Sequence, residues 1–398
     1  MTFPKFMNFV ARIEKFPDPM RRQKEVNKLM ASLNEENYPI FENDSTVILL
    51  YKGKVNSVEI IGDMSEWADN IPMKRIDGTD LFYFRGIYEP DARLNYWMIV
   101  AGSEFPVVDP FNPYKSMSGF GPLSELAMPK YARHPAFDAY IHGEKGGFDD
   151  LLSFELPSGA LPYPHDVYVY LPPNYDVDNG FYKAVYFHDA KDYIEFAVTP
   201  AVLNYLIEKK EIEPLIAVFV NPPNLHQPKF PNRSTEYGLN DDYVKFFTEE
   251  VVTFIDSKFR TITKPVARLV VGDSYGGLIS LYIAFKKPDI FKNAYSQSGY
   301  HSFQNGRIIQ MLEDSERKDI QLYIDIGKYE RKVGSAFLPA SEGDFLMGNR
   351  RLRDVLEKKS YDFIYREYPE GHTWGNWRRH LIDVLIYFYG MPGQGAQK

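Results

Sequence analysis

The chain contains no cysteine at any of its 398 positions. That absence excludes disulfides, thiolate nucleophiles, cysteine zinc sites and iron–sulfur clusters together, so any covalent catalyst must use another side chain. Long uncharged apolar runs are missing as well. No segment approaches the ~20 residues of a membrane span, and Met1–Arg12 holds no run of signal-peptide length before charges and Pro17 intervene. The sequence therefore reads as a soluble, cytoplasmic protein. Nor is there an excess of positive charge: 46 Lys and Arg stand against 54 Asp and Glu, a net charge of −8. This argues against nucleic acid or an anionic membrane as the main partner. No third ligand clusters with the adjacent His188 and Asp189, so neither a metal nor a cofactor is expected.

What the chain has in quantity is aromatic side chains, 29 Tyr, 29 Phe and 4 Trp, enough for large cores and aromatic-lined clefts. At ~100 to 200 residues per domain the length predicts two domains, or one large domain with a substantial extension. Residues 1–38 carry Phe9, Ile13, Met20, Val26, Leu29 and Leu33 at helical spacing and read as a helical cap. Residues 39–115 switch to short β runs (Thr46–Tyr51, Ser57–Ile61, Leu81–Tyr88, Leu94–Val100) separated by turn residues, the pattern of a β-sandwich. Residues 116–149, with their Pro and Gly, read as a linker. From 150 to 398, near-continuous apolar strands (Val167–Leu171, Ala184–Phe187, Leu215–Val220, Arg268–Val271, Leu322–Ile326, Phe363–Tyr365) alternate with helical patterns at Pro200–Lys210, Asp241–Lys258, Gly276–Lys287 and Asn349–Lys359. Such alternation predicts an α/β domain, a mainly parallel sheet with helices on both faces.

The strongest local signal is Gly272-Asp273-Ser274-Tyr275-Gly276 between an apolar strand and a helix. A serine on a sharp strand-to-helix turn is lifted above the sheet edge, and glycines are needed because neighbouring backbone comes too close for side chains. A hydroxyl nucleophile needs a base. His372 follows the last strand in a loop, where it can reach Ser274, whereas His380 lies within the next helix and reads as packing. The acid should follow the preceding strand, which favours Glu330 just past Gly327; Asp325 and Asp344 remain alternatives. Two backbone N–H groups should form the oxyanion hole: that of Tyr275, and one from His188-Asp189-Ala190-Lys191, with Lys191 first and Ala190 second. Loops at the carboxyl ends of the strands place Arg233, Tyr300, His301 and Trp374 as candidates for substrate binding. Arg233 is suited to an anionic ester, or else is paired with Glu236 or the N-terminal domain.

Gly272-Asp273-Ser274-Tyr275-Gly276-Gly277, Tyr170-Leu171-Pro172-Pro173-Asn174-Tyr175, Ser296-Gln297-Ser298-Gly299 and Glu370-Gly371-His372 together resemble the esterase group that includes enterochelin, feruloyl and acetylxylan esterases, esterase D and mycolyltransferases. The resemblance spans roughly Asp150 to Tyr389 and implies an α/β-hydrolase with a Ser-His-acid mechanism. Gly327-Lys328-Tyr329-Glu330 matches the group's acid segment, while Asp189-Ala190-Lys191 departs from its usual Asp-Gly-x. Ile61-Gly62-Asp63-Met64-Ser65-Glu66-Trp67, Leu94-Asn95-Tyr96-Trp97 and Asp109-Pro110-Phe111-Asn112-Pro113 are similar to immunoglobulin-like early-set, glycogen-binding-type modules. Trp67 and Trp97 are then either sugar-stacking residues or core and interface residues. The expectation is a serine esterase acting on a small-molecule ester. A siderophore or aryl ester leads, a feruloylated or acetylated sugar is the alternative, and a glycan-binding or scaffold protein with an inactive hydrolase half is the reading from another class.

Overall fold

The computed structural model describes residues 6–34, 36–140, 147–148, 151–223, 233–334 and 338–391. Two helices, Phe6–Ile13 and Pro19–Ala31, open the chain. Asp18 caps the second by accepting from the Met20 amide at 2.9 Å, and Pro19 takes the first helical position, where a missing N–H costs nothing. Phe6, Val10 and Ile13 recur at helical spacing and are buried with Ile48, Leu50, Leu81 and Tyr83.

Those four residues lie on the outer face of a sheet ordered Ile40–Asn43, Thr46–Lys52, Leu81–Ile87, Lys74–Arg75. Its inner face carries Val47, Leu49, Phe82 and Phe84. They pack on Val58, Ile60, Leu94, Tyr96 and Met98 of a second sheet ordered Ile71–Pro72, Val58–Gly62, Arg93–Val100, Leu123–Ala127, Lys115–Ser116. Thr46–Lys52 reads as an unbroken apolar run because alternate residues serve the sandwich core and the helical cap. One boundary needs correction. The reading of 116–149 as a linker fails at its start, where Leu123–Ala127 pairs antiparallel with Arg93–Val100 and Lys115–Ser116. Its Ser124 and Glu125 are polar yet buried, satisfied by hydrogen bonds, so no apolar pattern announced a strand.

The second half is an eight-stranded sheet in the order Leu152–Leu156, His165–Tyr170, Leu215–Val220, Lys183–Phe187, Arg268–Asp273, Asn293–Gln297, Gln321–Gly327, Asp362–Tyr368. His165–Tyr170 pairs antiparallel with both of its neighbours, Leu152–Leu156 and Leu215–Val220, and the remaining pairs are parallel. Tyr186, Ile216, Val218 and Val270 pack on one face with Phe246, Phe247, Ile279 and Ile283, while Phe187, Ala217, Phe219 and Val271 pack on the other with Tyr193, Leu206, Leu381 and Leu385. Strands covered on both faces must be apolar throughout, which is why they were legible as continuous runs. Leu152–Leu156 is a half-exposed edge strand and carries no such run. The helical pattern Asp241–Lys258 is interrupted by a π stretch, Phe246–Val251. No helix among the described residues is long and apolar enough to cross a membrane.

The halves meet where Arg93 of the sandwich bridges Glu370 in the loop after the last strand, the Arg93 amide donating to the Pro369 carbonyl at 3.2 Å. Behind that bridge Glu370 accepts from His380 Nε2 at 2.8 Å. Burial pulls the His380 imidazole down, but the Glu370 and Asp383 carboxylates outweigh it and push it up to about 9. A histidine raised above its free value, ~6.5, contributes stability that is complete below that value and is lost as pH rises through the folded one. Thermal unfolding followed from pH 6.5 to 9.5 should therefore show a falling midpoint, and His380→Gln should flatten that slope. An identical slope in the variant would mean that another group titrates there.

Candidate active site

Ser274 stands between the strand Arg268–Asp273 and the helix Tyr275–Lys286 with φ 56° and ψ −117°, a strained conformation for a residue with a side chain. The turn is tight enough that a Cβ on Gly272 would lie 2.4 Å from the Gly276 carbonyl. Its shape is held by the Ser274 amide donating to the Gln297 carbonyl at 2.8 Å, and by the Tyr300 amide donating to the Ser274 carbonyl at 3.0 Å.

Above the turn, His372 Nε2 lies 3.1 Å from Ser274 Oγ, and its Nδ1 lies 2.7 Å from Glu330 Oε2. A carboxylate can only accept, so Nδ1 carries the proton and Nε2 presents a lone pair to the serine hydroxyl. The imidazole is fixed edge-to-face against Phe345 and Trp377. Glu330 is fully buried; its Oε1 accepts from Ser298 Oγ at 2.6 Å and the Gly327 amide at 2.8 Å. The other two acids are elsewhere. Asp325 receives the Tyr295 hydroxyl and is pushed up to about 7 by burial, and Asp344 caps the helix Phe345–Lys358 through the Met347 amide at 2.8 Å. Ser298 lies in the quoted Ser296-Gln297-Ser298-Gly299 segment, but its contact with the acid was not foreseen: Trp377 Nε1 donates to its hydroxyl at 2.9 Å, which orients it toward Glu330. Nothing in the local pattern marks that role.

The amide of Tyr275 has no acceptor among the described residues, whereas that of Lys191 has a long contact of 3.4 Å to Asn221 Oδ1. Four expected substrate contacts need revision. Arg233 is neither an open anion ligand nor a partner of Glu236. Its Nε and Nη2 grip Asp189 at 2.6 and 2.7 Å, Nη2 also donates to the Asp273 carbonyl at 3.0 Å, and Glu236 is taken by His165. Arg233 thus ties the Lys191 loop to the nucleophile turn. Tyr300 is buried, stacked on Phe345, with its hydroxyl on Glu342 at 2.5 Å. His301 is buried against Ser296 Oγ at 3.0 Å, and burial lowers its pKa to about 3, so it is a neutral packing residue. Trp374 is buried edge-to-face on Tyr193 and Trp377. Pro231 and Asn232 of the expected Arg233 loop lie outside the described residues. Among those described, no group of three or more His, Asp or Glu comes together to hold a metal.

The sandwich reaches into this site. Asp63 accepts from the Asn95 amide at 2.6 Å and Trp67 Nε1 at 2.7 Å, and it abuts Gly371 so closely that a Cβ there would lie 2.2 Å from Asp63 Oδ1. On the other side of His372, Thr373 Oγ1 donates to Asn95 Oδ1 at 2.9 Å. The acid loop is held likewise: Arg331 Nε pairs with Glu66 at 2.8 Å and the Tyr329 hydroxyl donates to Glu89 at 2.8 Å. Trp67 and Trp97 meet edge-to-face at 5.5 Å with both indole N–H groups bonded within the protein.

A family model described as "Putative esterase" matches residues 158–388, more than half of the chain. The chain belongs to the putative esterase family. It is a hydrolase of ester bonds with an α/β-hydrolase sheet and an N-terminal β-sandwich. Among curated relatives, the uncharacterized protein YjcH of Bacillus subtilis is 28% identical over 54% of this chain and 88% of its own. The iron(III) enterobactin esterase of Escherichia coli O6:H1 is 20% identical over 70% of this chain and 66% of its own. Among solved structures, the enterobactin esterase of Shigella flexneri, determined in the presence of enterobactin, superposes with a TM-score of 0.70 at 19% identity, covering 87% of this chain and 94% of its own. A ferulic acid esterase superposes at 0.50 and 17% identity over 60% of this chain and 97% of its own. For this esterase, the Asp63–Gly371 contact predicts that Gly371→Ala costs about 1 to 3 kcal/mol in denaturant unfolding. Because the two sites touch, its cost should shrink in an Asp63→Ala background. Strictly additive effects would show that the contact does not hold the loop.

Proposed function

We propose that the chain is a serine esterase that cleaves a carboxylic ester through an acyl-enzyme. The observation carrying this is the continuous hydrogen-bonded line from Ser274 Oγ through the His372 ring to the buried Glu330. In this reading Ser274 Oγ attacks the carbonyl carbon while His372 Nε2 takes its proton, and Glu330 stabilises the resulting imidazolium. His372 then returns the proton to the departing alcohol, and water repeats the sequence to release the acid. The unpartnered Tyr275 amide receives the oxyanion. The Lys191 amide, exchanging its 3.4 Å contact with Asn221, is the second donor.

For the substrate we favour a bulky aryl or siderophore-type ester. The likeness to the enterobactin esterase runs across the sandwich as well as the hydrolase sheet, whereas that to the ferulic acid esterase is confined to a smaller share of the chain. A groove of about 310 Å³ beside Lys191, walled by Phe148, Leu151, Ser153 and Tyr168, supports an aromatic group on that side. Ser274→Ala should retain the fold and lose on the order of 10³-fold or more in turnover of p-nitrophenyl acetate. Turnover unchanged in the variant would remove Ser274 from the mechanism. Glu330→Gln should cost more than Asp325→Asn or Asp344→Asn, since only the acid against His372 fixes its tautomer. Catecholate siderophore lactones should be cleaved with higher kcat/KM than feruloyl or acetyl sugars; the reverse order would assign the enzyme to carbohydrate esters.

A further inference from the structure

Where the sandwich meets the C-terminal helix Trp374–Tyr389, the seam leaves a small, partly open hollow of about 20 Å³. Arg93, Arg133, Arg378 and Arg379 line it together with Glu125, Tyr131, His134 and the Phe137 ring. Its charges do not balance. Glu125, 1% exposed, receives Arg93 Nε at 3.0 Å on one oxygen and Arg133 on the other, while Arg378 approaches it only at 3.5 Å. Arg379 is matched by Asp383 at 2.9 Å, and protonated His380 by Glu370 at 2.8 Å. Among the described residues, three guanidinium groups at the hollow, Arg93, Arg133 and Arg378, thus face the single carboxylate Glu125.

Arg378 is the residue that this imbalance leaves short. Its side chain is 6% exposed, and a guanidinium carries five N–H donors. Yet among the described residues its closest partners are that distant Glu125 oxygen and the face of Phe137, 5.5 Å from its central carbon. Burial depresses its pKa; Glu125 acts in the opposite direction, but Arg93 and Arg133 add to the depression. A buried charge without a counter-charge is costly, and a hollow bordered by its donors is where a counter-ion belongs.

We propose that this hollow is an anion site, holding one halide-sized inorganic ion between Arg93, Arg133 and Arg378. Its volume fits a single water or monatomic ion, for which ~10–15 Å³ suffices. The site stands directly behind the candidate base. A Cβ on Gly375 would overlap the Arg93 guanidinium, and Arg93 Nη1 donates at 2.9 Å to the same Asn95 Oδ1 that receives Thr373. An ion there would fasten the sandwich to the loop carrying His372.

The test uses the full chain at constant ionic strength, exchanging sodium gluconate for sodium chloride or bromide. The unfolding midpoint should rise saturably with halide by several degrees, as for any ligand that binds only the folded state. Arg378→Met should abolish the halide dependence without lowering the midpoint in gluconate, because it removes one of the surplus charges. Crystals grown in bromide should show an anomalous peak among the three guanidinium groups. Equal midpoints in gluconate and halide, together with no peak, would overturn the site. A rise given equally by sulfate would overturn the assignment to a halide. Should the Met variant fail to fold, the wild-type titration and the anomalous map decide the matter alone.

Discussion

Glu330 is a carboxylate removed from water, and a group of that kind is tolerated only when its oxygens are bonded. Three donors reach it from three places: Ser298 at the end of the strand Asn293–Gln297, the Gly327 amide at the end of Gln321–Gly327, and the His372 ring from the loop beyond the last strand. Satisfying one buried charge therefore fixes three neighbouring strand ends relative to one another. Trp377 extends the constraint to the C-terminal helix by holding Ser298. With the imidazole locked by Glu330 and by two aromatic rings, its free nitrogen faces the one hydroxyl that the strained turn lifts above the sheet.

The loop bearing His372 leaves the sheet at its last strand, where, among the described residues, no neighbouring strand covers the outer side. Left there, it would be among the less stable parts of the fold. The sandwich supplies the missing side. The Arg93 backbone bridges that of Glu370, Asp63 fills the space beside Gly371, and Asn95 holds Thr373, so the loop is gripped before, at and after the histidine. The two halves of the chain thus share one candidate site, although Ser274, His372 and Glu330 all come from one half.

What could be read from the sequence follows a physical division. Ser274 was legible because its turn demands glycines at fixed offsets, and Glu330 because it follows Gly327 by three residues at the end of an apolar strand. The parallel strands were legible because burial on both faces leaves no polar interruption. Leu123–Ala127 was not, because its buried Glu125 is neutralised by arginines remote in sequence. The same reason misplaced Arg233, Tyr300 and His301. A polar side chain in a loop at the carboxyl end of a sheet looks alike whether it faces substrate or a buried partner, and those partners, Asp189, Glu342 and Ser296, are set by tertiary structure.

The character of the seam also follows from what it must do. Among the described residues, Tyr329 of the hydrolase half packs on the sandwich core, and Met117, just after the sandwich strand Lys115–Ser116, packs on the hydrolase core. Directional contacts are many, including Arg331 with Glu66, Tyr329 with Glu89, Thr373 with Asn95 and the Arg93 amide with Pro369. Hydrophobic contact is non-directional and would permit small sliding at modest cost. A hydrogen bond weakens steeply as its angle departs from linear, so a set of them in different directions admits one register. The 3.1 Å contact between the His372 ring and Ser274 tolerates little sliding. The polar seam therefore adds less to the strength of the junction than to its precision, and that precision is passed to the His372 ring.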